Sequence, residues 1–364
     1  MDQLLAFTGG GTGGHVFPAL AIIEELRRRG HDRFLWIGSP RGVEREIVES
    51  AGIPYRAVPA GKLRRYLSLR NLTDLFKIAG GYFAARKLLK EERPALLFSK
   101  GGFVSVPPVA AARSLGIPVV SHESDLDPGL ATRLNARSSR LVLTAYPETA
   151  AALEARGARA LALGNPVRRA VREGSRENAS RWLDLDLNRP LLLVVGGSLG
   201  AQQLNEIVSS QLERLTEKFT VVHQRGDHPA PTADSPLYMS HPFFGSEYGD
   251  ILARADLLLC RGGAGTLWEA ATTGTPAVVV PLSARASRGD QIRNASYFGE
   301  AGGVVAITEE DPEAEAVVDA LFELWADRGR YETAVEALQA LAGGDPTGRI
   351  SDEIEGLLSE EEER

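Results

Sequence analysis

The sequence predicts an α/β protein built from two doubly wound, Rossmann-like domains that face a central cleft. Short apolar runs alternate with amphipathic helical patterns through most of the 364 residues, as in parallel sheets with right-handed crossovers. The same alternation restarts after a polar, arginine-rich stretch at 164–188. The length also corresponds to about two domains at roughly 150 residues each.

The first half contains seven candidate strands. Each is short, apolar and bounded by Gly, Pro or charged residues, as buried parallel strands usually are. They are Leu4–Thr8, Phe34–Gly38, Tyr55–Val58, Ala95–Ser99, Pro118–Ser121, Leu141–Thr144 and Ala160–Leu163. Amphipathic patterns predict helices at Ala19–Arg29, Leu72–Lys90 and Val104–Leu115.

The second half repeats this organisation with five candidate strands. They are Leu191–Val195, Thr220–His223, Asp256–Cys260, Ala277–Val280 and Val304–Ile307. Helical patterns follow at Ala201–Leu215, Thr266–Thr273, Gln291–Gly299, Glu313–Trp325 and Ile350–Leu358. We therefore expect an N-terminal domain over 1–164, an interdomain linker over 165–188, a C-terminal domain over 189–342, and a final helix with a disordered acidic tail over 343–364.

Composition excludes several classes of protein. The single Cys260 rules out an internal disulfide and a Cys-cluster metal site. No apolar run approaches the ~20 residues of a membrane span, and the N-terminus shows no basic region typical of a signal peptide. The net charge of −7 hides an asymmetry, because residues 1–170 carry 25 basic and 15 acidic residues. A basic half predicts an anionic partner, either nucleic acid or a membrane surface.

Three glycine-rich loops follow predicted strands. The first, Gly9–Gly14, satisfies the dinucleotide pattern, but the second strand ends without the acidic residue that would hold a ribose. The loop at Gly196–Gly200 spells the hydrolase nucleophile elbow without a suitable acid and His after it. The loop at Arg261–Thr266 opens a helix that carries Glu269, which either accepts ribose hydroxyls or complements the helix dipole. With no Walker lysine, these loops indicate a nucleotide-diphosphate pocket in the second half.

Six blocks of sequence follow one another along the chain: Gly9–Ala19, Lys100–Ser105, His122–Asp125, Gly164–Arg168, Gly196–Ala201 and Arg261–Glu269. Together, and in this order, they resemble the MurG family of peptidoglycan glycosyltransferases. The resemblance spans roughly residues 5–300 and implies a GT-B fold and an inverting mechanism without a required metal or other cofactor. It implies transfer of N-acetylglucosamine from UDP-GlcNAc, bound by the C-terminal domain, to the MurNAc C4 hydroxyl of the polyprenyl-linked lipid I, which forms lipid II.

The resemblance also assigns roles to residues of this chain. The acceptor hydroxyl needs a general base, for which His15 is the first candidate and Glu123 and Asp125 are rivals. The block at His122 departs from one common form of the family, which leaves the role of Asp125 open. Residues implied in donor binding are Thr12, Gly13, Gly14, Arg168, Ser198, Gly265, Thr266, Glu269 and Gln291.

Other functions remain possible at this point. A different GT-B enzyme, such as a lipid glycosyltransferase or a UDP-GlcNAc 2-epimerase, would share the fold. A nucleotide-sugar-binding protein without catalysis is the alternative outside the enzymes, and the presence of His15 weighs against it.

The segment 62–90 has a net charge of +7 and predicts where the chain meets a membrane. Apolar residues recur there at helical spacing between basic flanks, a pattern typical of interfacial helices. Part of this stripe must also pack on the sheet. We expect peripheral attachment to the cytoplasmic face of the membrane, and no nucleic-acid partner. The candidate membrane residues are Arg64, Arg65, Leu72, Leu75, Phe76 and Lys77.

Overall fold

A computed structural model describes residues 3–42, 44–61, 69–183, 188–197, 200–229, 235–284 and 288–362. The chain divides into two compact units. The first unit combines residues 1–168 with residues 345–364, and the second unit comprises residues 169–344. Each is built around one parallel sheet with helices on its faces.

The first unit contains a seven-stranded sheet in the order β3-β2-β1-β4-β5-β6-β7, with every pair parallel. Most strand residues are buried, because helices cover both faces and most of these residues are apolar. The strands are β1 (Leu5–Thr8), β2 (Phe34–Gly38), β3 (Tyr55–Ala57), β4 (Leu96–Ser99), β5 (Val119–Glu123), β6 (Leu141–Thr144) and β7 (Ala160–Ala162).

In the described part of the chain, six α-helices lie between these strands, and a seventh returns from the C-terminus. They are α1 (Phe17–Arg28), α2 (Glu44–Ser50), α3 (Leu69–Glu92), α4 (Val106–Ser114), α5 (Leu130–Ala136), α6 (Pro147–Glu154) and, at the end of the chain, α16 (Pro346–Glu362). Helix α16 packs against α1 through Ile350, Ile354 and Leu357 in the core. Arg29 on the α1 side binds the carboxylates of Asp352 and Glu355 at 2.6 and 2.8 Å.

The second unit contains a six-stranded parallel sheet in the order β10-β9-β8-β11-β12-β13. The strands are β8 (Leu191–Val195), β9 (Thr220–Gln224), β10 (Tyr238–His241), β11 (Leu257–Cys260), β12 (Ala277–Val279) and β13 (Val304–Ala306). Its helices are α7 (Arg169–Arg172), α8 (Arg176–Trp182), α9 (Gln202–Ser210), α10 (Leu212–Lys218), α11 (Tyr248–Arg254), α12 (Ala264–Thr273), α13 (Asp290–Glu300), α14 (Ala314–Ala326) and α15 (Arg328–Ala342).

Both sheets reverse their strand order at one point. In the first unit this point lies between β1 and β4, and in the second unit it lies between β8 and β11. Ligands of doubly wound sheets bind beyond the carboxyl ends of the strands at such a point. The glycine loops at 9–14, 196–200 and 261–265 follow β1, β8 and β11, so the topology places all three where a ligand is expected.

The prediction of two doubly wound parallel sheets is confirmed, but three details differ. The expected linker contains helices α7 and α8, which pack on α11 in the second unit; Ser175 caps α8 by accepting the Asn178 N–H. The acidic end is helical through Glu362, because Arg140 binds both Glu360 and Glu361. Strand β10 was not predicted, since a polar, partly exposed edge strand lacks the continuous apolar run of a central strand.

Candidate functional site

The glycine loop after β1 opens the site of the first unit. Gly11 has a φ of +94°, a left-handed conformation that glycine adopts without strain. Residues Gly13–His15 form a short 3-10 helix that leads into α1. Thr12 and Gly14 are exposed, Gly13 is buried, and His15 is half-buried. The loop therefore presents backbone N–H groups and an accessible imidazole at the end of β1.

A buried carboxylate that the sequence analysis missed holds this loop. Glu44, on α2, is fully buried. Its Oε2 accepts the Gly11 N–H at 3.3 Å, and its Oε1 accepts the Ser39 N–H and hydroxyl at 3.0 and 2.6 Å. A Cβ at Gly10 would lie 2.6 Å from the Glu44 carboxyl carbon. Glu44 thus joins the end of β2 to the glycine loop.

The loop after β4 closes against the first loop from the other side. Gly101 and Gly102 have φ values of +88° and +76°. A Cβ at Gly102 would lie 2.4 Å from the Gly10 carbonyl oxygen and 3.1 Å from Cδ2 of His15. The His15 ring therefore lies directly on the backbone of this second glycine loop, at the switch point between β1 and β4.

A buried polar network joins the ends of β4 and β5. Lys100 is 1% exposed, and its Nζ donates to the Ser124 hydroxyl at 2.5 Å. Ser124 donates in turn to the side-chain oxygen of Asn165. Burial lowers the pKa of Lys100 to about 8, against the opposing effect of Glu123 and Asp125. Since that value is above 7, the lysine stays mainly charged at neutral pH.

His122 is also buried and donates from Nε2 to the Gly164 carbonyl at 3.0 Å. Burial, together with the nearby Lys100 charge, lowers its pKa well below 6.5. The imidazole is therefore neutral at physiological pH and ties β5 to the 164–168 segment.

Glu123 and Asp125, the two carboxylates predicted as alternative general bases, differ in their surroundings. Glu123 is 5% exposed; its two oxygens accept the N–H groups of Asp125 and Gly129 at 3.1 and 3.0 Å. The Glu123 carboxylate therefore closes the turn that leads into α5. Asp125 is half-buried at the tip of this turn. Arg168, at the end of the same unit, stacks over the Phe17 ring at 4.9 Å, where α1 begins beside His15.

The second unit has a pocket of about 480 Å³ at its own switch point. Gly196 and Gly200 from the loop after β8 line it, together with Arg261 after β11 and Gln291 on α13. The Arg261 guanidinium donates to the Gln203 side-chain oxygen at 2.7 Å and to the Val280 carbonyl at 3.0 Å. The pocket is thus polar, concave and fixed by hydrogen bonds to neighbouring loops.

Buried side chains behind the pocket hold the loop after β8. Gln224, 3% exposed, donates from Nε2 to the Gly197 carbonyl at 3.0 Å and accepts the Phe244 N–H at 2.9 Å. Gly200 packs so closely that a Cβ would lie 2.1 Å from the Arg225 carbonyl oxygen. Ser198, a predicted binding residue of this loop, lies outside the described residues.

Helix α12 and the start of α13 carry the remaining residues that the sequence analysis predicts to bind the nucleotide-sugar donor. Gly265 and Thr266 stand in its first turn, where free N–H groups and the helix dipole favour an anion. Glu269 is half-buried one turn further on; its Oε2 accepts the Tyr248 hydroxyl at 3.1 Å. Gln291 faces the pocket, and its Oε1 accepts the Leu282 N–H at 2.9 Å.

The structure therefore separates the predicted site residues into two groups. Thr12, Gly13, Gly14 and His15 cluster with the β4 and β5 loops in the first unit, and Gly265, Thr266, Glu269 and Gln291 belong to the second. Among the residues that the structure describes, no cluster of three or more His, Cys, Asp or Glu side chains could hold a metal ion.

Helix α3 carries the candidate membrane residues that the structure describes. Phe76 and Phe83 are 72% and 69% exposed and lie seven positions apart, on one face of the helix. Lys77 is exposed beside them. Arg64, Arg65 and the side chains of Leu72 and Leu75 lie outside the described part of the chain. No described helix combines the length and apolar character needed to cross a bilayer.

Comparisons with known proteins agree with this organisation. Residues 5–144 match the N-terminal domain model of glycosyltransferase family 28, and residues 191–343 match its C-terminal domain model. A Treponema denticola protein named UDP-N-acetylglucosamine–N-acetylmuramyl-(pentapeptide) pyrophosphoryl-undecaprenol N-acetylglucosamine transferase is 40% identical and aligns with 99% of both chains. A Shouchella clausii protein of the same name is 43% identical over 92% of this chain and 95% of its own length.

A solved structure is similar over the whole molecule. The crystal structure of Acinetobacter baumannii MurG superposes with a TM-score of 0.73 at 28% identity, covering 98% of this chain and 100% of the other. With the same two domains in the same order and near-complete coverage by relatives at about 40% identity, the chain belongs to the MurG family within glycosyltransferase family 28.

Proposed function

We propose that this protein transfers N-acetylglucosamine from UDP-GlcNAc to the MurNAc C4 hydroxyl of undecaprenyl-pyrophosphoryl-MurNAc-pentapeptide in peptidoglycan synthesis. The relatives named for this reaction cover almost the entire chain at about 40% identity, which is the observation that carries the proposal. The paired glycine-loop sites support it, because both suit anionic ligands and neither depends on a Walker lysine.

In this proposal the first unit supplies the base that activates the acceptor hydroxyl. His15 is half-buried at the switch point, and an imidazole is the side chain that most often serves as a general base. Glu123 is the weaker candidate, because both of its oxygens already accept backbone N–H groups. Asp125, half-buried at the tip of the same turn, remains the alternative base.

The second unit binds the donor and stabilises the leaving UDP. The backbone N–H groups at Gly265 and Thr266 and the start of α12 compensate the charge that develops on the diphosphate. Glu269 accepts the ribose hydroxyls, and Gln291 reaches the sugar from the wall of the pocket. No step in this scheme requires a metal.

The decisive experiment incubates the enzyme with UDP-GlcNAc and a lipid I analogue and follows UDP release together with lipid II. His15→Ala is expected to lower kcat by about 10²- to 10⁴-fold, the usual effect of losing a general base, while UDP affinity by calorimetry is retained. His228→Ala, in the second unit, is the matched control. Normal turnover by the His15 variant would transfer the role to Asp125.

The same assay separates the other enzyme classes. Conversion of UDP-GlcNAc to its 2-epimer without a lipid acceptor would indicate an epimerase, and glucosaminylation of a diacylglycerol would indicate another lipid glycosyltransferase. UDP-GlcNAc binding without turnover on any acceptor would indicate a binding protein. Each of these results would overturn the proposed function.

We also propose that the first unit attaches peripherally to the cytoplasmic face of the membrane through α3. Gly81, Ala85 and Leu89 pack this helix on the protein, whereas Phe76 and Phe83 point outwards. The exposed face also carries Arg86 and Lys87, which attract anionic headgroups. The lipid-linked acceptor makes such attachment useful, because the reacting sugar stays at the bilayer surface.

Liposome co-sedimentation tests this attachment. The double variant Phe76→Ser and Phe83→Ser should bind anionic vesicles far less, at roughly tenfold per phenylalanine from the apolar burial lost. Phe243→Ser, which removes an exposed ring in the second unit, should bind as wild type does. Equal binding of all three proteins, or no preference for anionic over neutral vesicles, would refute the proposal.

A further inference from the structure

The hydroxyl of a buried tyrosine donates a hydrogen bond to the carboxylate of Glu269, the residue proposed above to bind the ribose hydroxyls. Tyr248 is the first residue of α11 and is 4% exposed. Its hydroxyl donates to Oε2 of Glu269 on α12 at 3.1 Å. A phenylalanine would fill the same apolar space, so packing alone does not require the oxygen. The distinctive property of this side chain is its hydrogen bond to a neighbouring helix.

Tyr248 is itself held firmly in place. Its backbone N–H donates to the Gly245 carbonyl at 3.4 Å. Two residues later, the Asp250 carboxylate accepts the Ser175 N–H at 2.8 Å and the Trp182 indole N–H at 3.1 Å. These bonds fasten α11 to α8, so the phenol approaches Glu269 from a rigid support.

The hydrogen bond from Tyr248 acts on a flexible side chain. A glutamate has three side-chain torsions, so each fixed donor to its carboxylate narrows the set of rotamers that it samples. Recognition of a diol requires one orientation of the carboxylate, since both hydroxyls must donate to it together. A carboxylate has about four acceptor positions, and the phenol occupies one of them, on Oε2.

We propose that Tyr248 is a positioning residue that orients the Glu269 carboxylate towards the 2′- and 3′-hydroxyls of a ribonucleoside diphosphate. This inference rests on the proposed function for the role of Glu269, and it adds a residue on a different helix that determines how well that role is performed. The consequence is a preference for ribose over sugars that lack the diol, which depends on a group that does not itself touch the ligand.

Calorimetry with UDP and with 2′,3′-dideoxyuridine diphosphate tests the inference without requiring turnover. Wild type should bind UDP more tightly than the dideoxy analogue. Tyr248→Phe should weaken UDP binding by about three- to tenfold, within the range of one ordinary hydrogen bond, and should leave binding of the analogue unchanged. Tyr331→Phe is the matched control, because it removes a phenol that donates at 2.9 Å to the Asp256 carbonyl in the same unit.

Glu269→Gln distinguishes failure of the inference from failure of the proposed function. If this variant reduces the preference for UDP and Tyr248→Phe does not, the positioning role is wrong while the assignment of Glu269 stands. If neither variant changes UDP affinity, Glu269 does not bind the ribose. This result would overturn both the assignment of Glu269 and the positioning role of Tyr248. Equal weakening of both ligands by Tyr248→Phe would assign the tyrosine a purely structural role. In the double variant, a loss smaller than the sum of the two single losses is expected, because both act on one interaction.

Discussion

Replacing Glu44 with Gln tests how the first glycine loop is held. The two carboxylate oxygens serve different partners: Oε1 accepts both donors of Ser39, and Oε2 accepts the Gly11 N–H at 3.3 Å. A glutamine can keep its oxygen on Ser39, but its NH₂ then faces the Gly11 N–H, and two donors oppose each other. Leaving a donor unsatisfied in this way costs about 1–3 kcal/mol.

Two measurements test this expectation. One is amide hydrogen exchange of the folded protein, analysed on short proteolytic peptides, and the other is urea denaturation. The Gly11 amide should exchange faster in Glu44→Gln, the Ser39 amide should stay protected, and the free energy of unfolding should fall by about 1–3 kcal/mol. Glu46→Gln, an exposed position on the same helix, should change stability by no more than about 0.5 kcal/mol. Unchanged exchange at Gly11, or equal loss of protection at Ser39, would show that the carboxylate does not hold the loop as described.

Three further predictions follow from other buried groups. Gly10→Ala should cost about 1–3 kcal/mol by overpacking, since its Cβ would meet the Glu44 carboxyl at 2.6 Å; urea denaturation should show a smaller cost in a Glu44→Ala background, and an equal cost would contradict the clash. Burial lowers the pKa of His223 from 6.5 to about 4. The stabilising contribution of the neutral imidazole to the free energy of unfolding is therefore fully present above pH 6.5, and its loss as the pH falls towards 4 should cost about 3 kcal/mol. A His223→Gln variant should lose correspondingly less stability across that range. Cys260 is fully buried, which raises its thiol pKa to about 12; a thiol reagent at pH 8 should leave the native protein unlabelled and modify it only after denaturation, and rapid native labelling would show that the second sheet opens.

The polar contacts of the site depended on tertiary structure. Nothing in the sequence around Glu44 connects it to Gly11, because the two residues are 33 positions apart and meet only when β1 and β2 pair. The same holds for Tyr248 and Glu269, which come together through the packing of α11 on α12. Sequence motifs identify residues that touch a ligand, whereas the residues that position them follow no local pattern.

Helix α3 shows the same limit for apolar residues. Periodicity places Phe76, Tyr82 and Phe83 within one amphipathic stretch, but it does not say which of them contact the sheet. The fold decides this, because Gly81 approaches the Pro59 carbonyl closely and turns that side of α3 inwards. As a result Tyr82 is partly buried, whereas both phenylalanines are exposed.

The sequence by itself determined the fold class, the twelve strands with continuous apolar character and the three glycine loops, because strand burial and backbone conformation leave a local signal in residue type and spacing. The tertiary structure alone decided which strand ends are neighbours, and so which loops lie side by side at the edge of each sheet. It also decided that Glu123 closes a turn through both of its oxygens, and that α7 and α8 belong to the second unit. These properties arise from contacts between distant segments, whose free energy is gained only when the whole sheet has assembled.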